Sequence, residues 1–324
     1  MTISAKIIAD SISPDGARIT TYELEYPRFI HAEFMTHRLF SRNAASSRAI
    51  PVKKAIELIR ADTAKPIHWG KNQPGMSAKE ECEERVFLGC DDETHDHSKK
   101  YFSREAAWNS ARERAIFVAE AFDKAGYHKQ IVNRMLEPFS HIKVVLTATE
   151  YDNFFYLRCH KDAQPEIQKL AELMYEARQA STPVILKPGS WHVPYYKDGQ
   201  WTPFCDLANV DDPQEGVGFT LADALAISSS CCAQVSYRRL DDSLEKARDI
   251  YARLVESKPV HASPFEHQAT PVTYEVDETE RNCHTWEPGI THTDRFNNPW
   301  SGNLKGWIQH RQLIVDNVCN HYTP

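Results

Sequence analysis

The chain has 324 residues, of which 41% are hydrophobic and 26% are charged, a balance typical of a globular protein with a substantial core. A formal net charge of −7 argues against broad nucleic-acid binding, although a local basic pocket for a small anion is compatible with it. The sequence contains no apolar run of about 18 residues and no signal-peptide pattern at its start, so we expect a cytoplasmic protein without a membrane span.

The first predicted element is a β-strand over residues 17–26, where apolar residues largely alternate with polar ones. After Pro27 the apolar residues Ile30 and Phe34 recur at helical spacing, and Pro suits the first turn of a helix. The pattern therefore predicts a short helix that reaches Arg38 and carries a polar segment at its end.

Residues 61–100 have a different composition, with Gly, Pro and many charged side chains, which predicts a surface insertion. Cys82, Cys90, His95 and His97 lie in this segment, but Cys-x7-Cys-x4-His-x-His is not a usual zinc-ligand spacing. None of the eight cysteines is in CxxC spacing, so we expect thiols rather than a disulfide framework. A solvated loop is the favoured interpretation of this segment, and a zinc site is the alternative.

Further elements follow from the hydrophobic pattern of the middle of the chain. A helix is predicted over 103–124, with Gly126 as its C-cap, and its apolar stripe consists of Trp108, Ala111, Ala115, Val118, Ala119 and Phe122. The β-branched residues 141–150 predict a buried strand. A helix after Pro165 is marked by Ile167, Leu170, Ala171, Met174 and Ala177.

The second half begins after a Pro-, Gly- and Trp-rich stretch, residues 187–204, which predicts a linker. Asp242 and Glu245 have the spacing of a capping box, and an amphipathic helix follows them. The adjacent Cys231 and Cys232 are expected to be small buried residues. Because strands and helices do not alternate as βαβ units, the predicted fold class is α+β, with an antiparallel or mixed sheet covered by helices.

The densest polar cluster is the segment from His37 to Arg48, which has the pattern HR-x2-S-x-N-x2-S-x-R. Arginine supplies a planar fork for an oxyanion, and Ser hydroxyls with backbone N–H groups can satisfy its remaining lone pairs. The residue types alone favour a phosphate site and a salt-bridged helix end about equally.

Two further segments stand out beside the His37–Arg48 pattern, which are His261–His267 and Asn153–Arg158. Together, the three segments resemble the flavin-dependent thymidylate synthases. The first is the His37–Arg48 pattern, which is similar to the family's RHR motif followed by seven residues and a serine. The second is His261-Ala-Ser-Pro-Phe-Glu-His267, similar to H-x-[TS]-P-F-E-H, with an A-R-V-S-[FY]-like segment from Ala233 one helix earlier. The third is Asn153-Phe-Phe-Tyr-Leu-Arg158 and the Ala-Gln-Pro-Glu-Ile run that follows it.

The order of these segments differs from the family's usual order, because the PFEH segment normally precedes the RHR segment. The resemblance therefore implies one circularly permuted domain over residues 1–324, with the insertion at about 61–100. Two motif residues also differ: Thr36 replaces the first Arg of RHR, and Ala44 replaces an acidic residue. Gly306 to Arg311 resembles the helix that leads into RHR, so this second His-Arg segment is a candidate to supply the missing contact.

The resemblance implies the conversion of dUMP to dTMP with FAD, methylenetetrahydrofolate and NADPH, without a cysteine nucleophile. Carried over position by position, it implies that Arg158 is catalytic and promotes ionisation at uracil N3. The implied substrate-binding residues are Ser46, Ser47, Arg48, Arg134 and Arg158. The implied cofactor-binding residues are His37, Arg38, Asn153, His261, Ser263 and Glu266.

The family builds each site from several subunits of a homotetramer, so we expect a homo-oligomer that binds dUMP or a related pyrimidine nucleotide. Two alternatives remain open. One is flavin- and folate-dependent hydroxymethylation of a pyrimidine deoxynucleotide, and the other is a non-catalytic nucleotide- or RNA-binding regulator. The acidic charge balance and the lack of a basic patch interleaved with aromatic residues disfavour the regulator.

Overall fold

The computed structural model describes residues 2–89, 101–203, 219–236, 241–273 and 286–322. Its α-helices are α1 His31–Phe34, α2 Val52–Ala61, α3 Arg104–Lys124, α4 Lys129–Val132, α5 Asp152–Arg158, α6 Pro165–Ala180, α7 Leu221–Ala233 and α8 Leu244–Glu256. Its strands are β1 Ser4–Ile12, β2 Arg18–Pro27, β3 Ser41–Ala44, β4 Val86–Phe87, β5 Tyr101–Phe102, β6 His141–Ala148, β7 Val184–Ile185, β8 Trp191–His192, β9 Gln200–Trp201, β10 Ala269–Pro271, β11 His292–Thr293, β12 Pro299–Ser301, β13 Leu304–Lys305 and β14 Trp307–Gln309. The described residues thus form the α+β arrangement that the sequence predicts.

The largest sheet has five strands in the order β3-β6-β2-β1-β7, and only the pairing of β1 with β7 is parallel. Apolar residues alternate along β2, where Tyr22, Leu24 and Tyr26 are fully buried. Helix α6 covers this face with an apolar stripe of fully buried residues, which are Ile167, Leu170, Ala171 and Met174. The predicted strands at 17–26 and 141–150 and the predicted helix after Pro165 are therefore confirmed.

Helix α3 lies over a second apolar cluster, which it shares with α2 and the 3₁₀ segment Asn133–Phe139. Ser103 caps this helix by accepting a hydrogen bond from the Ala106 N–H, and it ends at Lys124 as predicted. The buried side of the helix centres on Ile116 and Ala119, whereas Ala111 of the predicted stripe is exposed. The helix is therefore confirmed, and its buried stripe is corrected.

The described part of the predicted insertion, residues 61–89, packs against helix α3. The Trp69 ring packs edge-on against Trp108 of α3 at 5.8 Å, and Arg104 of α3 forms an ion pair with Glu81. Cys82 is a free cysteine, whereas Cys90, His95 and His97 lie outside the described residues. No group of three or more His, Cys, Asp or Glu side chains in the described ranges could hold a metal ion.

The segment predicted as a linker, residues 187–204, contains core residues in its described part. Strand β8 pairs with β9 and β10, and His192 and Val193 are fully buried. Gly199 approaches β1 so closely that a Cβ atom there would lie 2.6 Å from the Ala9 Cβ. Pro and Gly mark tight turns in this segment, but the strand between the turns is buried, so the linker prediction is wrong here.

Two further local predictions need correction. Helix α1 ends at Phe34 rather than near Arg38, because the Thr36 hydroxyl donates a hydrogen bond to the Glu33 carbonyl and the chain then turns into β3. Helix α8 begins after Ser243, whose side chain makes no capping bond, so the predicted Asp242–Glu245 capping box is absent. The capping box of this half lies instead at Thr220 of helix α7. Cys231 and Cys232 in α7 are buried, as predicted.

A hydrogen-bonded chain of buried polar side chains crosses the largest sheet. Thr21 on β2 and Thr147 on β6 are paired in register, and their hydroxyl oxygens lie 2.7 Å apart. Thr21 also contacts His192 Nε2 at 2.8 Å, and Thr147 contacts His267 Nδ1 at 2.9 Å. Because all four residues are fully buried, this chain ties both β8 and the PFEH-like segment to the sheet.

Within the described ranges, no helix combines the length and the apolar character needed to cross a bilayer.

Candidate functional site

The first part of the candidate site is the turn between α1 and β3, which presents His37 next to helix α5. The Arg158 Nε–H donates a hydrogen bond of 2.9 Å to His37 Nε2. The His37 ring also packs edge-on against Phe154, with ring centroids 4.8 Å apart. Burial, with the nearby charges of Arg158 and Arg42, lowers the pKa of His37 to about 4. His37 is therefore a neutral acceptor for Arg158 at pH 7.

This contact fixes the Arg158 side chain through Nε alone. Among the described residues, its two Nη groups have no hydrogen-bond partner and the side chain is half-buried. The Glu33 carboxyl lies near enough for the Arg158 charge to lower its pKa, although burial raises that pKa more strongly. The arrangement leaves a planar cationic fork available to a ligand.

The second part of the site is the 3₁₀ turn Ser47–Ala49 and the segment that packs against it, Asn133–Phe139. The Asn133 Nδ2 group donates to the carbonyls of Ser47 at 2.7 Å and Ile50 at 2.8 Å. The Ser46 hydroxyl caps the turn by accepting a hydrogen bond from the Arg48 N–H. The Asn133 side chain thus fixes the backbone of the turn that carries the predicted substrate-binding residues Ser47 and Arg48.

Arg48 and Arg134 line the same open depression of about 660 Å³. Its other lining residues are Phe122, Gln130, Ile131 and Met135. The Arg134 side chain is 62% exposed and forms an ion pair of 3.1 Å with Glu137. Two guanidinium groups beside apolar and aromatic surface can hold an anionic ligand with a ring system.

A second cavity, of about 520 Å³, is lined in part by the same turn. Its polar lining includes Ser47, Arg28 and Glu137, and its walls include the apolar side chains of Ile59 and Leu136. The Arg28 guanidinium donates a 3.0 Å hydrogen bond to the Ala45 carbonyl. Ser47 and Glu137 therefore line this second cavity. Ser47 lies in the same turn as Arg48, and Glu137 lies in the same 3₁₀ segment as Arg134.

The third part of the site is the PFEH-like segment, which packs beside β3. Glu266 forms an ion pair with Arg311, and Gln309 Nε2 donates both to the Glu266 carbonyl at 3.2 Å and to the Ser41 hydroxyl at 3.3 Å. Burial lowers the pKa of Arg42, whereas Tyr26 and the nearby Glu266 carboxylate raise it. The C-terminal motif therefore reaches the same neighbourhood as His37.

The second His-Arg segment differs from the predicted helix, because it consists of β14 followed by a 3₁₀ turn. His310 is buried and stacks on the Tyr251 ring, and burial lowers the pKa of His310 to about 4. Arg311 reaches Glu266 instead. Arg311 thus adds a positive charge to the candidate site, where it pairs with Glu266, a predicted cofactor-binding residue.

The structure brings some of the predicted residues together and leaves others apart. His37 contacts Arg158, the pair Arg48 and Arg134 shares one depression, and Glu266 faces β3. Ser46 and Ser47 lie in the same turn as Arg48. The other four predicted residues are exposed: Arg38, Asn153, His261 and Ser263.

Sequence reasoning missed three residues that shape the site, which are Asn133, Glu137 and Arg311. A local signal existed for Glu137, since it lies three positions after Arg134 in a helical segment, where opposite charges meet. The pairing of Arg311 with Glu266 joins residues 45 positions apart and has no local signal.

Residues 17–184 match the model of the thymidylate synthase complementing protein family. The chain belongs to this family. The match includes the His37–Arg48 and Asn153–Arg158 segments, and it confirms the family that the motifs predict. The PFEH-like segment lies outside the matched residues.

Among solved structures, the chain is similar to a UMP/dUMP methylase, PolB, from Streptomyces cacaoi, bound with 5-Br dUMP. The sequence identity is 17%, the TM-score is 0.36, and the similarity covers 55% of this chain and 90% of that chain. No protein with a curated description matches the sequence.

Proposed function

We propose that this member of the family methylates dUMP to dTMP, with methylenetetrahydrofolate as one-carbon donor, FAD as the flavin and NADPH as reductant. The observation that carries the proposal is the contact between Arg158 and His37, which orients a cationic fork and leaves its Nη groups available. A guanidinium beside uracil N3 and a neighbouring carbonyl would stabilise the negative charge that develops on the ring.

The depression that contains Arg48 and Arg134 supports a nucleotide substrate. Its two cations are suited to the nucleotide phosphate, and Phe122, Ile131 and Met135 supply apolar surface for the rest of the ligand. Ser46 and Ser47 lie in the turn that carries Arg48, so their hydroxyls are placed to add hydrogen bonds. These residues would bind the phosphate, whereas Arg158 would contact the reacting base.

The flavin assignment fits the donor chemistry around His37. The flavin diphosphate needs cations and hydrogen-bond donors, and Arg38 and Arg42 follow His37 in the same segment. When bound, the flavin supplies hydride transfer. His37 would orient Arg158 and contact the cofactor, while Glu266, held by Arg311, would accept a hydrogen bond from it.

We also propose that the whole chain is one permuted domain and that it acts as a homo-oligomer, with a tetramer expected. Support for one domain comes from Ser41, which contacts Gln309 and Asn303 from the far end of the chain. Support for an oligomer comes from the exposed positions of Arg38, Asn153, His261 and Ser263, which a neighbouring subunit would complete.

The test combines spectroscopy with product analysis. The purified protein, titrated with FAD, should develop a perturbed flavin spectrum and gain thermal stability. Incubation with dUMP, methylenetetrahydrofolate and NADPH should yield a nucleotide with the mass of dTMP. A product heavier by one oxygen atom would identify the hydroxymethyl reaction, and the lack of both flavin binding and product would contradict the proposal.

A further inference from the structure

The Glu137 carboxylate binds two of the side chains to which the proposed function assigns the nucleotide phosphate, Ser47 and Arg134. The Ser47 hydroxyl donates a 2.7 Å hydrogen bond to Glu137 Oε1. Arg134 Nη1 lies 3.1 Å from Oε1 and 3.4 Å from Oε2 of the same carboxylate. A fixed carboxylate therefore holds the position of an anion between these donors.

The two donors differ in their freedom to leave Glu137. Asn133 clamps the turn that carries Ser47, so the Ser47 hydroxyl can turn but its backbone is fixed. This hydroxyl has one proton, so it cannot donate to Glu137 and to a phosphate oxygen together. Arg134 is mostly exposed and can move toward a ligand in the depression.

Glu137 is mostly buried, and it lines the second cavity together with Arg28. The half-buried Arg28 guanidinium lies close to it, and the Glu137 charge opposes the lowering of the Arg28 pKa by burial. Only 23% of the Glu137 side chain is exposed. Since this carboxylate is held in place, an incoming anion has to compete with it rather than simply displace it into solvent.

We infer that Glu137 sets the affinity of the site for phosphate-bearing ligands by competing for Ser47 and Arg134. The inference rests on the proposed function, because it takes the depression of Arg48 and Arg134 as the phosphate site. The ligand class is a nucleoside monophosphate, or inorganic phosphate as its smallest form. Binding would transfer the Ser47 hydrogen bond and the Arg134 fork from the carboxylate to the phosphate.

The experiment uses calorimetry to measure binding to the wild-type chain and to its Glu137→Gln variant. The probes are dUMP, inorganic phosphate and deoxyuridine, which lacks the phosphate. Glutamine keeps an oxygen acceptor for Ser47 but removes the charge, so dUMP and phosphate should bind roughly five- to tenfold more tightly. Deoxyuridine should bind to Glu137→Gln with the same affinity as to the wild type. Glu176→Gln, at an exposed position of α6, removes the same charge elsewhere and should change none of the affinities.

The outcomes separate the inference from the proposed function. If the wild type binds dUMP but Glu137→Gln binds it equally or more weakly, Glu137 orients the donors and the competition is wrong. If the wild type binds neither dUMP nor phosphate, the proposed nucleotide site fails, and the inference fails with it. Glu137→Asp provides a second variant for the case in which Glu137→Gln does not fold after losing the negative charge near Arg28. It keeps the charge but shortens the side chain, and it should also tighten dUMP binding.

Discussion

Arg158 Nε lies 2.9 Å from His37 Nε2, although the two residues are 121 positions apart in the sequence. The hydrogen bond joins the two segments that carry the family's motifs within residues 17–184. Because burial and neighbouring cations keep His37 neutral at pH 7, the imidazole can accept this bond and orient the guanidinium. The contact with His37 thus holds the Arg158 guanidinium in one orientation.

Arg158→Lys should therefore reduce turnover far more than flavin binding. Lysine keeps a positive charge but loses the planar fork, and it cannot make the same bond to His37 while addressing a uracil edge. The loss of one oriented electrostatic contact at a reacting centre typically costs roughly 10²- to 10³-fold in rate. Single-turnover oxidation of prereduced flavin at saturating dUMP measures this step, and near wild-type rates would show that Arg158 has another role.

Arg48→Ala should chiefly raise the dUMP concentration needed for half-maximal rate. A phosphate contact is made equally in the ground state and the transition state, so its loss weakens binding and leaves the rate at saturation. We expect a KM increase of roughly tenfold or more, the usual range for a lost charged hydrogen bond. Lys53→Ala, at an exposed position of α2, is the matched control. A rate defect that saturating dUMP does not rescue would contradict the assignment.

No single cysteine should be needed for turnover. Burial raises the pKa of the Cys231 thiol to about 12 and also raises that of Cys159, so both remain protonated at pH 7. Cys231→Ala and Cys159→Ser should therefore retain activity in steady-state assays. An inactive variant that still folds and binds both FAD and dUMP would indicate a nucleophilic thiol instead.

How much of the fold the sequence predicts depends on how local the sequence signal for each element is. Strand β2 and helix α6 follow from apolar periodicity, because each buries one face against the other. Strand β3 has the polar sequence Ser-Arg-Asn-Ala, and it is a strand only because it pairs with β6. Strand β8 is surrounded by Pro and Gly, whose turn signals conceal its burial.

The same distinction applies to the candidate site. Motif spacing predicts the segments around His37, Arg158 and Glu266, since each is a short run of sequence. Their mutual placement depends on the sheet, which brings β3 beside the PFEH-like segment. The ion pair between Glu266 and Arg311 depends on the packing of β14 against β10, so no local pattern reveals it.

Stability should fall as the pH drops below about 6.5, the ordinary pKa of histidine. Burial lowers the pKa of His192 and of His267 to about 3, so both are neutral in the folded protein. Between these values and 6.5 the unfolded chain binds more protons, which favours unfolding as the pH falls. Each histidine adds a slope of up to about 1.4 kcal/mol per pH unit. Urea denaturation at pH 7, 6 and 5 measures the slope, and an unchanged free energy of unfolding from pH 7 to 5 would contradict the prediction.

Thr147→Val should destabilise the fold by breaking the buried chain that links His267 to Thr21. The substitution keeps the side-chain shape but leaves His267 Nδ1 without its 2.9 Å partner, and His267 Nε2 already has no partner among the described residues. A buried polar group left unpaired costs about 1–3 kcal/mol, so the free energy of unfolding should fall by that amount. Thr182→Val, at an exposed position, changes the same atoms in water and should have almost no effect. Equal denaturation midpoints for the two variants would show that the chain of hydroxyls and imidazoles does not stabilise the fold.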